Sequence, residues 1–403
     1  VAIFCSHPIQ YQAPLWRQLA ADPGLDLLVV FGTDMSIRGY KDREFGVSFA
    51  WDQPLTEGYR HHFLSTDPSI SHIERWRPSP KGIGRVLDQF RPQVGVLTAY
   101  NHVFHMGAFA ALRARRIPII MRHEASDVAV ERGHAKAALR DFLLRRLYKG
   151  VARFAAIGTE ARRHLLRLGV PQQRIGYSPY CVDSDFVEAQ VRRWSPRRAE
   201  IRRELKASEE DPVVVFSGKL IPKKNPLLIA DALRVLKMRG QARLLDRLHV
   251  IIAGEGALRA ELGRELRALI GERAHLLGFL NQGEMGRAYA AADALVLPSR
   301  RGGGETWGLV VNEALQYGLP CLVSDGVGCQ VDLISGMNTG SVFRSGSEDG
   351  LATCLKQWLD VPSETRIAQR EKCREFVGRF SSKTATAGLV DCIRNVAESG
   401  GSQ

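Results

Sequence analysis

Short apolar runs alternate with longer amphipathic stretches along the whole chain, in the rhythm strand, helix, strand. In the first half the runs are Val1 to Cys5, Leu25 to Phe31, Val94 to Thr98, Ile117 to Arg122 and Phe154 to Ile157. In the second half they are Val213 to Ser217, His249 to Ala253, Ala274 to Leu277, Ala294 to Leu297 and Cys321 to Ser324. Runs rich in Val, Ile and Leu without polar alternation predict parallel strands covered by helices on both faces, an α/β class of the doubly wound kind. The stretch from Phe31 to Leu64 is aromatic and poorly periodic, which predicts a loop or hairpin excursion off the first sheet.

A chain of 403 residues exceeds the roughly 250–300 residues at which a single core stops growing. Two domains are therefore expected, 1–185 and 186–380, with the boundary between Tyr177-Ser-Pro-Tyr-Cys-Val-Asp183 and the charged stretch from Arg192 to Lys206. Two such sheets turn the carboxyl ends of their strands toward a common crevice, where ligands of doubly wound folds bind.

Hydrophobic residues at 45% and charged residues at 25% are those of an ordinary globular chain and argue against disorder. The seven cysteines are scattered and include no C-x-x-C pair, so a zinc or redox site is not expected and a reducing cytoplasm fits. The chain opens without a basic leader and holds no run of about 18 uncharged apolar residues, so neither a signal peptide nor a membrane-spanning helix is expected. The net charge of +13 is concentrated in the first half and at the junction, in clusters such as Arg140, Arg145, Arg146 and Lys149, or Arg162, Arg163 and Arg167. Such clusters point to an anionic membrane surface, where each nearby cation contributes ~1 kcal/mol. No basic motif interleaved with aromatics suggests nucleic acid as a partner.

The densest chemistry runs from Ser299 to Pro320, SRRGGGETWGLVVNEALQYGLP, a triple-glycine loop that feeds a helix expected to start at about Thr306. Glycines let backbone N–H groups approach an anion, and a helix start adds unsatisfied donors and a positive dipole end. Glu313 lies eight positions beyond Glu305, ~12 Å along a helix, so the two acids reach different parts of one ligand. Gly218-Lys219 closes the run Val213 to Ser217, and Lys224 follows five positions later, so two cations can converge on a diphosphate.

These residues carry a resemblance. The second half, about 150–400, resembles the retaining GT-B fold glycosyltransferases, the family that includes sucrose, mannosyl and N-acetylglucosaminyl transferases. Glu305 and Glu313 fit the family's spaced pair of glutamates, and Gly218, Lys219 and Lys224 fit its diphosphate motif, with Lys in place of Arg at 219, which keeps the charge and loses the bidentate fork. Gly254-Glu-Gly256, Gly278-Phe279, Tyr289-Ala-Ala-Ala-Asp293, Leu297-Pro-Ser299 and Asn338-Thr-Gly340 stand where similar proteins carry their glycine-rich, base-contacting and helix-start segments. The resemblance implies two Rossmann-like domains facing a cleft and transfer of a hexose from a nucleoside diphosphate sugar, UDP favoured and GDP next. It implies Glu313 on the ribose, Glu305 on the transferred sugar, and the backbone of Thr306, Trp307, Gly308 and Leu309, after Gly304, on the diphosphate. A closing helix, about 381–397, would return to the first domain.

The first half resembles the family more weakly. Ser6-His-Pro-Ile-Gln-Tyr-Gln12 follows the first run where many members have paired glycines, so His7 and Gln10 are expected to line the cleft instead. His123 ends the run Ile117 to Arg122 and is the expected catalytic residue of this half; His102 and His105 are weaker acceptor-side expectations. Asp183-Ser-Asp185 has metal-ligand spacing but falls in the linker, and no metal or cofactor is expected, since Lys219, Lys224 and a helix start can stabilise a departing diphosphate. The expected partners are a nucleotide-sugar donor, a saccharide or lipid-linked acceptor from cell-surface glycan synthesis, and the inner membrane face. The competing readings are an epimerase or phosphorylase of the same architecture and a non-catalytic nucleotide- or nucleic-acid-binding protein.

Overall fold

The computed structural model describes residues 1–41, 48–49, 51–130 and 133–400. It holds two wholly parallel sheets. The first contains β1 (Ala2–Cys5), β2 (Leu28–Phe31), β5 (His61–Phe63), β6 (Gly95–Leu97), β7 (Ile119–His123), β8 (Arg153–Ala156) and β9 (Ile175–Tyr177), in the order β5-β2-β1-β6-β7-β8-β9. The second contains β10 (Val213–Ser217), β11 (His249–Ala253), β12 (Ala274–Gly278), β13 (Ala294–Leu297), β14 (Cys321–Ser324) and β15 (Gly340–Phe343), in the order β12-β11-β10-β13-β14-β15. Each is an α/β unit whose strand order reverses direction once.

The reversal falls between β1 and β6 in the first sheet and between β10 and β13 in the second. Crevices open at the carboxyl ends of strands at such points. Ser6 and His7 follow β1, Gly218 and Lys219 follow β10, and Pro298 and Ser299 follow β13, so the chemistry-bearing turns sit at the two switch points. The central strands are buried on both faces; Ala2, Ile3, Phe4, Val213, Val215 and Phe216 are all inaccessible.

Every apolar run named from the sequence is a strand. Three strands were not anticipated, β5, β9 and β15, and all three are edges. An edge strand is sealed on one side only, so it has no need of a continuous apolar run: His61 and His62 in β5 and Tyr177 in β9 are exposed. The excursion expected between Phe31 and Leu64 falls partly outside the described residues. Within them, β3 (Tyr40–Lys41) pairs antiparallel with β4 (Ser48–Phe49), β5 joins the first sheet, and Asp52 accepts from the Gly283 N–H of the second unit at 2.8 Å.

Several contacts tie the units together. Asp183 caps the helix Ser184–Trp194 through the Phe186 N–H and pairs with Arg17 at 2.9 Å, which gives the first of the two D-x-D acids a structural task. Asp332 accepts from both the N–H and the hydroxyl of Thr159. The last helix, Ser382–Gly400, packs on the helix Ala13–Ala20 and on β8 and β9, with Ala385 accepting from Ser178 Oγ at 2.8 Å.

Candidate active site between two parallel sheets

Glycines at the strand ends shape the second-unit floor. The Gly218 N–H donates to Ala253 O at 3.0 Å and the Gly254 N–H to Gly278 O at 2.7 Å. A Cβ on Gly254, at φ 157°, would stand 1.8 Å from the Gly218 carbonyl oxygen, so this glycine permits backbones to touch. Gly254 and Gly278 thus have a packing task that the sequence alone assigned to substrate, and half-buried Phe279 continues from them.

Above that floor, Lys224 forms an ion pair with Glu305, and Ser299 Oγ donates to the same carboxylate at 3.1 Å. Burial alone would raise the Glu305 pKa, but the Lys224 ammonium and the hydrogen bonds from Lys224 and Ser299 hold it below the usual carboxylate value. Glu305 is therefore charged at neutral pH. Lys219 is half-buried at the turn after β10.

Glu313 is placed differently. It is 7% exposed and accepts from Tyr289 Oη at 2.7 Å and from Gln282 Nε2 at 3.5 Å. Burial raises its pKa, and the Tyr289 and Gln282 hydrogen bonds offset that only in part. Tyr289 and Gln282 lie on one helix, Gln282–Ala291; the sequence motif contained Tyr289, and Gln282 two turns earlier is the helical-face partner that spacing could have supplied.

The glycine loop departs from expectation. The helix begins at Leu309 and ends at Gln316, with Gly308 as its N-cap at φ 104°, so Glu305 precedes it. The early loop amides are engaged: the Gly302 N–H donates to Val128 O and the Gly304 N–H to Ala129 O, both carbonyls belonging to the first unit, and the Gly303 N–H donates to Arg300 O. The Thr306 N–H donates to Gly304 O at 3.1 Å. Among the described residues, the N–H groups of Trp307, Gly308 and Leu309 meet no acceptor. Three adjacent unpartnered donors at a helix start, two residues past the Glu305 that Lys224 pairs with, are a pattern that could accept an anion. These three lie within the Thr306 to Leu309 stretch that the resemblance implied; only Thr306, whose N–H is engaged, drops out, and the helix starts three residues later than expected. The Trp307 indole is itself core: it is 3% exposed, donates to Asn312 Oδ1 at 2.8 Å, and packs edge-on to Tyr180. Of Trp307, only the backbone N–H is left unpartnered.

From the first unit, Gln10 and Tyr11 line a crevice together with Gln282, Leu309 and Glu313, so Gln10 and Glu313 share one cleft. His7 bonds Ser6 Oγ through Nδ1 at 2.9 Å, and burial with the neighbouring His102 lowers its pKa to about 4. His123 lines a second cavity, with Tyr100, Glu124, Ser126, Ala129 and, from the second unit, Thr306. It lies on the floor, stacked between Tyr100 and His164, with both ring nitrogens unpartnered. Burial, and secondarily His164, holds its pKa well below the ordinary histidine value. His105 is buried beside Thr98, and His102 stands half-buried next to it. Glu124, which sequence reasoning passed over, accepts from Tyr180 Oη at the rim; it follows His123 directly and could have been marked as part of the same strand end.

Residues 197–376 match the family model of the glycosyl transferases group 1. The chain is 29% identical over 346 residues to a GDP-mannose-dependent alpha-mannosyltransferase of Mycobacterium tuberculosis, a match covering 81% of this chain and 83% of that protein. Over 181 residues it is 30% identical to a GDP-mannose-dependent monoacylated alpha-(1-6)-phosphatidylinositol monomannoside mannosyltransferase of Corynebacterium glutamicum, covering 43% of this chain and 45% of the relative. Apart from the mycobacterial protein, the chain spans about half or less of the curated relatives it matches. The fold is that of Anabaena HepE solved with UDP, with a TM-score of 0.70 at 15% identity over 98% of this chain and 99% of that one.

Proposed function

We propose that this chain, whose residues 197–376 match the glycosyl transferases group 1, is a GT-B glycosyltransferase that transfers a hexose with retention from a nucleoside diphosphate sugar to an acceptor hydroxyl. The observation that carries the reading is the set of open amides of Trp307, Gly308 and Leu309 beside the Lys224–Glu305 pair. In this reading the diphosphate rests on those amides, Lys219 and Lys224, the ribose diol bonds Glu313, and Glu305 meets the hexose hydroxyls. Donor entry frees Lys224 from Glu305, and both groups then turn to the ligand.

The acceptor oxygen bonds to the anomeric carbon as the bond from that carbon to the diphosphate oxygen breaks, on one face. The acceptor proton passes to the departing phosphate oxygen. Fixed cations and amides stabilise the charge that develops there, a task this reading gives to them and to no metal ion or other cofactor. His123, neutral at the cavity floor, orients the acceptor side, and Gln10 and His7 complete the wall.

The curated relatives named above carry GDP-mannose in their names, whereas UDP is the expectation from the sequence; competition between UDP and GDP for the site separates the two. The acceptor is a saccharide or glycolipid hydroxyl in this reading, in line with the phosphatidylinositol mannoside of the corynebacterial relative's name, and the enzyme works at an anionic membrane surface, on the cytoplasmic face. The test is proton NMR of slow hydrolysis across UDP- and GDP-hexoses. An initial product anomer matching the donor supports retention; the opposite anomer, or release of an epimerised sugar, overturns it.

A further inference from the structure

The helix His134–Lys149 rests on the first sheet through one side only. Leu144 and Tyr148 are buried, but Leu139, Phe142 and Leu143 are 63%, 52% and 57% exposed. At about 100° per residue these three share the outward sector with Arg146 and Lys149. An ordinary surface helix turns its large apolar groups inward; this one presents them on both sides. Its one acid, Asp141, faces inward and pairs with Arg167. Along the helix's last turns, Arg145, Arg146 and Lys149, with Arg174 from beyond it, line a cavity of about 460 Å³ with no carboxylate in its wall. Among the described residues none of these four cations pairs with an acid.

We propose that this outer face docks on an anionic phospholipid bilayer, Leu139, Phe142 and Leu143 entering the headgroup layer while the cationic cavity receives a phosphate-bearing headgroup. A second copy of this chain is a poor occupant, because it would set cations against cations. A leaflet supplies the opposite arrangement, a fixed array of anions over apolar chains. The inner edge of the same helix reaches the cavity at His123, where Arg140 donates to Tyr100 Oη at 3.0 Å. The bilayer and the acceptor-side cavity are thus served by two sides of one helix. The docking surface itself does not rest on the donor assignment.

The test is co-sedimentation of the full chain at low salt with vesicles of phosphatidylcholine alone or of equimolar phosphatidylcholine and phosphatidylglycerol. The unaltered protein is expected on the anionic vesicles only, and added salt releases it. Replacing Arg145, Arg146 and Lys149 together by Gln lowers the partition coefficient about a hundredfold, at about fivefold per charge. Replacing Leu139, Phe142 and Leu143 together by Ser abolishes binding while every cation remains. Unchanged melting temperatures and unchanged nucleotide titrations separate lost docking from lost folding or a lost donor site. Failure of the unaltered protein to sediment with anionic vesicles, equal binding to phosphatidylcholine alone, or unaltered binding by both variants overturns the proposal.

Discussion

The two units solve the problem of burying polar groups in opposite ways. In the second, the site groups are charged or strongly polar and satisfy one another: Lys224 with Glu305, Tyr289 and Gln282 with Glu313. In the first, the cleft is built from histidines that burial keeps neutral, several with ring nitrogens that meet no partner, as at His102, His105 and His123. In the proposed reading, a diphosphate brings fixed negative charge and fixed geometry, which the cations and unpartnered amides of the second unit would meet, whereas an acceptor hydroxyl brings no charge and would suit the neutral wall of the first.

The largest effect should follow from breaking the second-unit pair. Lys224→Ala removes a cation from the leaving group and strands a charged Glu305 in a half-buried site; kcat/KM should fall about 10²–10³-fold or more, as for loss of a preorganised donor at developing charge. A fall of less than tenfold would place Lys224 outside the chemistry. On the other side, His123→Ala should lower kcat about a hundredfold with the nucleotide Kd unchanged. Equal losses in both, or only a lower melting temperature, would make His123 a core residue.

Gly308→Ala tests the proposed anion seat more gently. The new Cβ would lie 2.9 Å from Val327 Cγ1 at a backbone angle of φ 104°, and an L-residue there costs about 1–3 kcal/mol. Nucleotide affinity should weaken with the helix start, and an unchanged Kd would exclude these amides from the seat.

The smallest effect separates the units by pH. Burial lowers the pKa of His7 to about 4 and of His105 to about 3, and lowers those of His102, His123 and His164. The unfolded chain takes up protons at these residues near the ordinary histidine value of 6.5, while the folded chain does not. Stability should therefore fall as pH drops below about 6.5 and continue to fall toward about 4. In the second unit His249 and His275 are lowered in the same sense, so the first unit, with five such groups, should melt earlier on acidification. Calorimetric scans from neutral to mildly acidic pH check this, and a first-unit transition that does not move would contradict it.

The same contrast governs what could be read from the sequence. The strands Val213–Ser217, His249–Ala253, Ala294–Leu297 and Cys321–Ser324 coincide with their apolar runs because each is a buried parallel strand. Edge strands β5, β9 and β15 were illegible because one open side relaxes the demand for apolar residues. In the candidate site, Glu305, Glu313 and Lys224 stood out by residue type and spacing, and the structure brings Lys224 onto Glu305 and buries Glu313 against Tyr289 and Gln282. The engaged amides of Gly302 and Gly304 were not, since their acceptors, Val128 O and Ala129 O, lie over 170 residues away in sequence. Nor could spacing show that the Trp307 indole packs into the core beside Tyr180.

The account turns on Glu313 as the group that holds the donor's ribose, and calorimetric titration of UDP and GDP into the unaltered protein and Glu313→Ala tests it most directly. Hydrogen bonds to a charged group are worth about 1.5–3 kcal/mol, so the account predicts tight binding of one nucleotide and about a tenfold to hundredfold loss in the variant. Binding of neither nucleotide, or the same Kd in both proteins, would contradict it.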